Sequence, residues 1–262
     1  MKRIVFSLAI VLSACGFAQA ASSDWFETEG ARLRLVTEDA ASADGRMKGV
    51  LEIDLQPGWK TYWKDPGASG IAPQIDVSAS INVEDAVFSY PAPKRFREGE
   101  EVSTGYVEPV ALPLTFEVGD PEKFTAIDAD ILLGICKEIC VPVQARLSVT
   151  PGGEAGTVDP VILESYGRLP SAASAEFGLA GLRDDGQSLV ADAALPADPQ
   201  GAELFVVAPK GWLLGVPVLE ATGERPAFRI PVIGRPPAAG TVAFDYTLVA
   251  GGKAVEGQSS LP

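Results

Sequence analysis

Cys136 and Cys140 are the side chains of this 262-residue chain best suited to chemistry. They stand in Ile131-Leu-Leu-Gly-Ile-Cys-Lys-Glu-Ile-Cys-Val-Pro142, separated by Lys137, Glu138 and Ile139. Two thiols at this spacing admit a disulfide that exchanges with other thiols, a disulfide that only staples the chain, or a soft pair of ligands for Cu(I). No histidine occurs anywhere. That removes His-based triads, His-ligated zinc or haem, and imidazole acid–base catalysis.

The elements around the pair decide what it can do. Upstream, Ile127, Ala129, Ile131, Leu133 and Ile135 recur at every second residue; downstream, Val143, Ala145, Leu147 and Val149 alternate with Gln144, Arg146, Ser148 and Thr150. Period two marks a half-buried strand. If one strand ran through both cysteines, their Cα atoms would lie roughly 13 Å apart. A disulfide needs roughly 4.4–6.8 Å. The pair therefore bonds only if Lys137-Glu138-Ile139 turns, either as the tip of a hairpin or as a short helical turn. Pro142 and the flanking alternation favour the hairpin.

The rest of the chain reads as all-β. Gly (27) and Pro (21) are spread throughout, as many short strands and turns require. The net charge is −14, which argues against nucleic acid as a partner and against attraction to an anionic membrane. After the first 20 residues no apolar run reaches the roughly 18 residues of a membrane span.

Residues 1–20 read as a secretory signal peptide. Lys2-Arg3 precedes an apolar stretch from Ile4 to Leu12, and Ala18-Gln-Ala20 fits an A-x-A cleavage site. A competing reading takes Leu12-Ser-Ala-Cys15 as a bacterial lipobox, with Cys15 lipidated and the protein anchored there. Either leaves Cys136 and Cys140 as the thiols of an exported, oxidising setting.

Along the mature chain, Arg32–Thr37 and Met47–Leu55 alternate as strands, and Trp59–Lys64 reads as another, ended by the turn Asp65-Pro-Gly67. Trp59, Tyr62 and Trp63 suit core and sheet-face packing. Tyr90–Glu101 carries charge, Gly and Pro without periodicity and reads as an exposed loop long enough to be functional. Alternation returns from Tyr106 to Val118, where Pro109 and Pro113 predict an edge strand. A first unit thus spans 24–150. A linker, 151–176, holds a short helix from Val161 to Leu169, opened by Asp159-Pro160 and stopped by Pro170. From 177 to 262, strands at Leu189–Ala194, Leu204–Ala208, Phe228–Val232 and Val242–Val249 fit a second β-sandwich.

Gly58-Trp-Lys-Thr-Tyr-Trp-Lys-Asp-Pro-Gly-Ala-Ser-Gly70, Tyr90-Pro-Ala-Pro93, Gly105-Tyr106 and Cys136-Lys-Glu-Ile-Cys-Val-Pro142 together resemble one family. It is the periplasmic amino-terminal region of the thiol–disulfide reductase DsbD and of its relative ScsB, the latter linked to copper tolerance. The resemblance covers about residues 24–150. It implies immunoglobulin-like sandwiches, with the redox pair on a hairpin of the first. It implies a periplasmic location, electrons received from a membrane-embedded DsbD/ScsB-like donor, and reduction of periplasmic thioredoxin-like acceptors. Cys140 then corresponds to the cysteine that forms the mixed disulfide and Cys136 to the one that resolves it. A cap that shields the pair maps to Arg95–Thr104, with Phe96 and Tyr106 as its candidate shielding residues. The sequence departs from DsbD in its shorter cysteine spacing and in a cap with one aromatic. The membrane and carboxy-terminal thioredoxin-like portions are not in this sequence, so the donor is expected in trans.

Three functions compete on these residues. A disulfide closing so small a loop stabilises by roughly 2 kcal/mol or less in the chain-entropy model. That is little for a chain able to build its own core, which favours an exchange pair over a staple in a non-catalytic adaptor. Cu(I) binding would use the same thiolates, but Met47 is the one methionine beyond the leader and histidine is lacking. The expectation is thus a component of a thiol–disulfide oxidoreductase system that uses Cys136 and Cys140 and no cofactor.

Overall fold

The structure is a computed structural model that describes residues 21–67, 70–98, 101–152, 158–196, 201–220, 226–237 and 240–261. The expected signal peptide, its A-x-A site and Cys15 lie outside these residues.

Strands of the amino-terminal half are β1 (Ala21–Ser22), β2 (Phe26–Thr28), β3 (Ala31–Thr37), β4 (Arg46–Leu55), β5 (Lys60–Tyr62), β6 (Gln74–Asp76), β7 (Val83–Phe88), β8 (Lys94–Glu98), β9 (Glu101–Tyr106), β10 (Val110–Val118), β11 (Ile127–Cys136) and β12 (Cys140–Val149). They form two sheets. One runs β1-β3-β4-β10-β7 with β2 beside β3; the other runs β12-β11-β5-β9-β8 with β6 beside β11. Alternation places Leu33, Leu35, Leu51, Ile53, Leu112, Leu114 and Phe116 on the inner face of the first. Ile127, Ala129, Ile131, Leu133 and Ile135 line the inner face of the second. These side chains bury one continuous core between the sheets.

Helix α1 (Pro160–Gly167) follows, with Asp159 as N-cap: its carboxylate accepts from the Val161 amide at 2.8 Å, and Pro160 opens the first turn. The helix ends two residues before the expected Leu169. It is not a free connector. Ile162 packs with Val36 and Val50 on the outer face of the first sheet, and the Tyr166 hydroxyl donates to the Leu114 carbonyl at 2.7 Å.

The second half contains β13 (Ser171–Ala172), β14 (Gly178–Asp184), β15 (Ser188–Ala194), β16 (Glu203–Val207), β17 (Leu213–Leu214), β18 (Val218–Glu220), β19 (Ala227–Gly234), β20 (Val242–Ala250) and β21 (Lys253–Leu261). Its sheets run β13-β21-β20-β16 and β14-β15-β19-β17, with β18 also beside β19. They enclose Leu189, Ala191, Leu204, Phe228, Ile230, Phe244 and Leu248. Among the described residues the fold is all-β, two immunoglobulin-like sandwiches with a short helix between them.

Three local expectations are corrected. Tyr90–Glu101 is not a loop throughout: Lys94–Glu98 is a strand paired with β9, Phe96 opposite Ser103. Tyr106 to Val118 is not one strand. The chain leaves the second sheet after Tyr106 and enters the first at Val110, with Val107-Glu108-Pro109 as the crossing. Nor is β10 an edge, since it lies between β4 and β7. Pro113 is tolerated because its carbonyl accepts from the Ser89 amide (2.8 Å) on the side where β7 has ended at Phe88. The missing donor therefore costs no bond to β4.

Candidate functional site

The hairpin β11–β12 holds register from Ile127 opposite Val149 to Cys136 opposite Cys140. Lys137, Glu138 and Ile139 form the turn, the Cα atoms of the cysteines lie 4.2 Å apart, and the sulfurs are bonded. Facing pairs share one side of a sheet. Because Ile131, Leu133 and Ile135 point into the core, Leu132, Gly134 and Cys136 point the other way, and the disulfide sits on the outer face of the sandwich.

The two sulfurs are unequal. Cys136 is 1% exposed, whereas Cys140 is half-buried and flanked by Ile139 (76% exposed) and Val141 (40%). An incoming thiolate therefore reaches Cys140 from the hairpin tip, across an apolar rim. That asymmetry distinguishes an attackable sulfur from a protected one.

Tyr62 closes the buried side. Its hydroxyl oxygen lies 2.8 Å from Cys136 Sγ and 2.6 Å from Cys140 Sγ. Neither sulfur of a disulfide carries hydrogen, so the phenol is the donor. Strand β5 supplies this side chain by pairing on both flanks: Thr61 opposite Ile135 and Lys60 opposite Cys136, then Thr61 opposite Tyr106 and Tyr62 opposite Gly105. The Thr61 hydroxyl adds a bond to the Gly134 carbonyl at 2.9 Å. Gly134 leaves room for the phenol. A Cβ there would stand 2.8 Å from two atoms of the Tyr62 ring. The ring lies along the backbone and reaches the sulfurs two residues on.

Once the disulfide opens, the geometry has chemical consequences. A thiolate at either position accepts from Tyr62, and a hydrogen bond to the charged form favours it. Lys60, cross-strand from Cys136, adds a cation on the same face, its ammonium 5.0 Å from the Phe96 ring centroid. Lys137, adjacent to Cys136 in sequence, is turned instead toward the Trp59 ring at 5.9 Å.

Of the two candidate shielding residues, one is at the site. Phe96 shares the outer face with Tyr62, ring centroids 6.2 Å apart. Tyr106 does not. It projects into the core, 7% exposed, and its hydroxyl donates to the Pro91 carbonyl at 2.9 Å. It thereby ties down the segment entering β8. Burial raises its pKa well above the usual phenol value, with the neighbouring Tyr90 adding to the shift.

The sequence assigns Tyr62 to packing and gives Lys60 no role, yet both stand at the redox pair. The available signal was Gly134, a glycine inside a strand pattern two residues before a cysteine, which marks close approach of another group. Among the described residues, no cluster of three or more His, Cys, Asp or Glu side chains is arranged to hold a metal. No described helix is long and apolar enough to cross a membrane.

Comparison with known proteins agrees with this geometry. Residues 32–151 match the family model "Thiol:disulfide interchange protein DsbD, N-terminal". Among solved structures, the fold is similar to the N-terminal periplasmic domain of ScsB from Proteus mirabilis, with a TM-score of 0.78 and 20% sequence identity. The superposition covers 93% of this chain and 99% of that one, so the likeness extends over both sandwiches. No curated protein sequence matches the chain.

Proposed function

We propose that the protein relays reducing equivalents in the periplasm through Cys136 and Cys140, a reading supported by the match of residues 32–151 to the DsbD N-terminal family model and by the fold shared with the ScsB domain. In this reading a membrane-embedded DsbD/ScsB-like protein supplies electrons and a thioredoxin-like protein accepts them. One observation carries it above the rest. The disulfide joins a buried sulfur to an approachable one, and a single phenol contacts both.

The exchange balances as follows. In the reduced protein, the Cys140 thiolate attacks one sulfur of the acceptor disulfide, and the other acceptor sulfur leaves as thiolate. The Cys136 thiolate then attacks Cys140 Sγ, forming the intramolecular disulfide and releasing the second acceptor thiolate. Two electrons have moved to the acceptor. A dithiol donor returns them by the reverse sequence, attacking Cys140 first. Tyr62 serves both directions, since it donates to whichever cysteine sulfur carries charge.

The deciding measurement is the reduction potential of the pair, by thiol trapping in graded glutathione buffers. A value between roughly −180 and −270 mV lies among exchange proteins and supports the relay. A value below roughly −300 mV marks a structural disulfide and rejects it.

A further inference from the structure

Strand β8 closes one end of the redox sheet, and among the described residues its sheet partner is β9 alone. Consecutive residues of a strand project to opposite faces. Phe96 faces the redox side, packed against Tyr62 and under the Lys60 ammonium. Arg95 faces the second sandwich. There its guanidinium lies 4.2 Å from the Phe205 ring centroid, pairs with the Glu203 carboxylate at 3.1 Å and donates to the Leu204 carbonyl.

Three consecutive residues of β16 thus hold one side chain, which is 15% exposed. The grip is fixed at its base. Phe205 is buried with the core of the first sandwich, edge-on to Trp63 at 6.0 Å, and the Ala208 amide donates to Asp65 at 2.8 Å. The Trp63 amide in turn donates to the Thr104 carbonyl at 3.0 Å, reaching the partner strand of β8.

We propose that Arg95 is a positioning residue through which the second sandwich holds Phe96 over Tyr62 and the disulfide. This rests on the exchange reading above and gives the second sandwich a role in it. A guanidinium buried against an aromatic face and a carboxylate is held in one plane by its fork of donors. Removing the Glu203 carboxylate leaves a largely desolvated guanidinium uncompensated, and removing the guanidinium itself releases β8 from its hold on β16; either way the strand is free to shift. Because Arg95 and Phe96 share one stretch of backbone, that shift carries the ring off Tyr62.

The test is the second-order rate of reduction of the oxidised protein by dithiothreitol, with the reduction potential measured on the same variants. Arg95→Met is expected to raise the rate on the order of tenfold, equivalent to about 1.4 kcal/mol less cost of uncovering the pair, with the potential unchanged. Arg95→Lys should fall between, since an ammonium keeps the ion pair but not the planar stack. Glu203→Gln, which keeps size and shape, gives an independent reading of the anchor. Arg97→Met, two residues along on the same strand, should match the parent. A faster Phe96→Ala beside an unchanged Arg95→Met and Glu203→Gln would overturn the inference and leave the exchange reading standing. No change in Phe96→Ala would overturn it as well. Failure of the exchange reading shows separately, as a parent potential in the range of structural disulfides.

Discussion

The Tyr62 ring lies across Gly134, in the space a β-carbon would fill, and this contact sets the phenol against both sulfurs. The two residues come from β5 and β11, far apart in sequence and joined by the register of Thr61 with Ile135. A second glycine, Gly105, lets β9 approach from the other flank, where a Cβ would stand 2.1 Å from the Thr61 carbonyl oxygen. The site is a phenol inlaid between strands whose backbones are bare where it passes.

Replacing Gly134 should therefore act on the redox site as well as on stability. Gly134→Ala places a methyl group 2.8 Å from the ring, and the overpacking should cost about 1–3 kcal/mol in urea unfolding. Tyr62→Phe keeps the ring and removes the donor. Its expected signature is a raised thiol pKa in the reduced protein, followed by thiolate absorbance, because a hydrogen bond to the charged form is lost. An unchanged titration would show that the phenol serves packing alone.

The unequal exposure of the sulfurs predicts a one-sided trapping pattern. Cys136→Ser leaves the approachable thiol without its resolving partner and should accumulate a mixed disulfide with a thioredoxin-like protein. Cys140→Ser leaves only the buried thiol and should trap little. Non-reducing gels of the two variants with an oxidised thioredoxin-like protein decide it, and the reverse pattern would move the attacking role to Cys136.

Ile139 and Val141 are exposed apolar side chains at the tip, next to the attackable sulfur. An apolar rim around a reactive group is suited to a protein partner. Ile139→Asp should slow exchange with a thioredoxin-like protein on the order of tenfold, as a loss of about 1.4 kcal/mol of docking energy would. It should leave reduction by dithiothreitol nearly unchanged, since a small thiol needs no such rim. Equal slowing with both reductants would count against a docking role.

The sequence shows the fold where one face of a strand is core and the other is water. Leu33 and Leu35, or Ala145, Leu147 and Val149, alternate cleanly for that reason. Strand β8 is hidden because neither face meets that condition: Phe96 is covered by Tyr62, and Arg95 by a sandwich that begins some 80 residues later. A buried arginine beside a half-buried phenylalanine has no apolar period to detect. The two cysteines are legible because their chemistry is local to one hairpin. Tyr62 is not, because its meeting with them spans separations of 74 and 78 residues and depends on register between strands. Pro109 and Pro113 mislead for a related reason, since the side of the strand a missing donor faces is a property of the sheet.

Tyr90 offers a titration with a defined sign. Burial pushes its pKa up to about 12, and the neighbouring Tyr106 is raised as well. An exposed phenol in the unfolded chain ionises near about 10. Both folded values thus lie above the unfolded one, so the fold holds these protons more tightly. Their contribution to stability is fully present below about pH 10 and is lost as pH rises toward 12. For Tyr90 the loss amounts to about 2–3 kcal/mol across that window, before any contribution from Tyr106. Urea midpoints at about pH 9 and about pH 11.5 should fall further apart for the parent than for Tyr90→Phe, which has no phenol to ionise. If the variant loses as much stability as the parent, the alkaline transition belongs to other groups. In that case the covering of Tyr90 by the strands around Pro73 and Phe88 does not govern it.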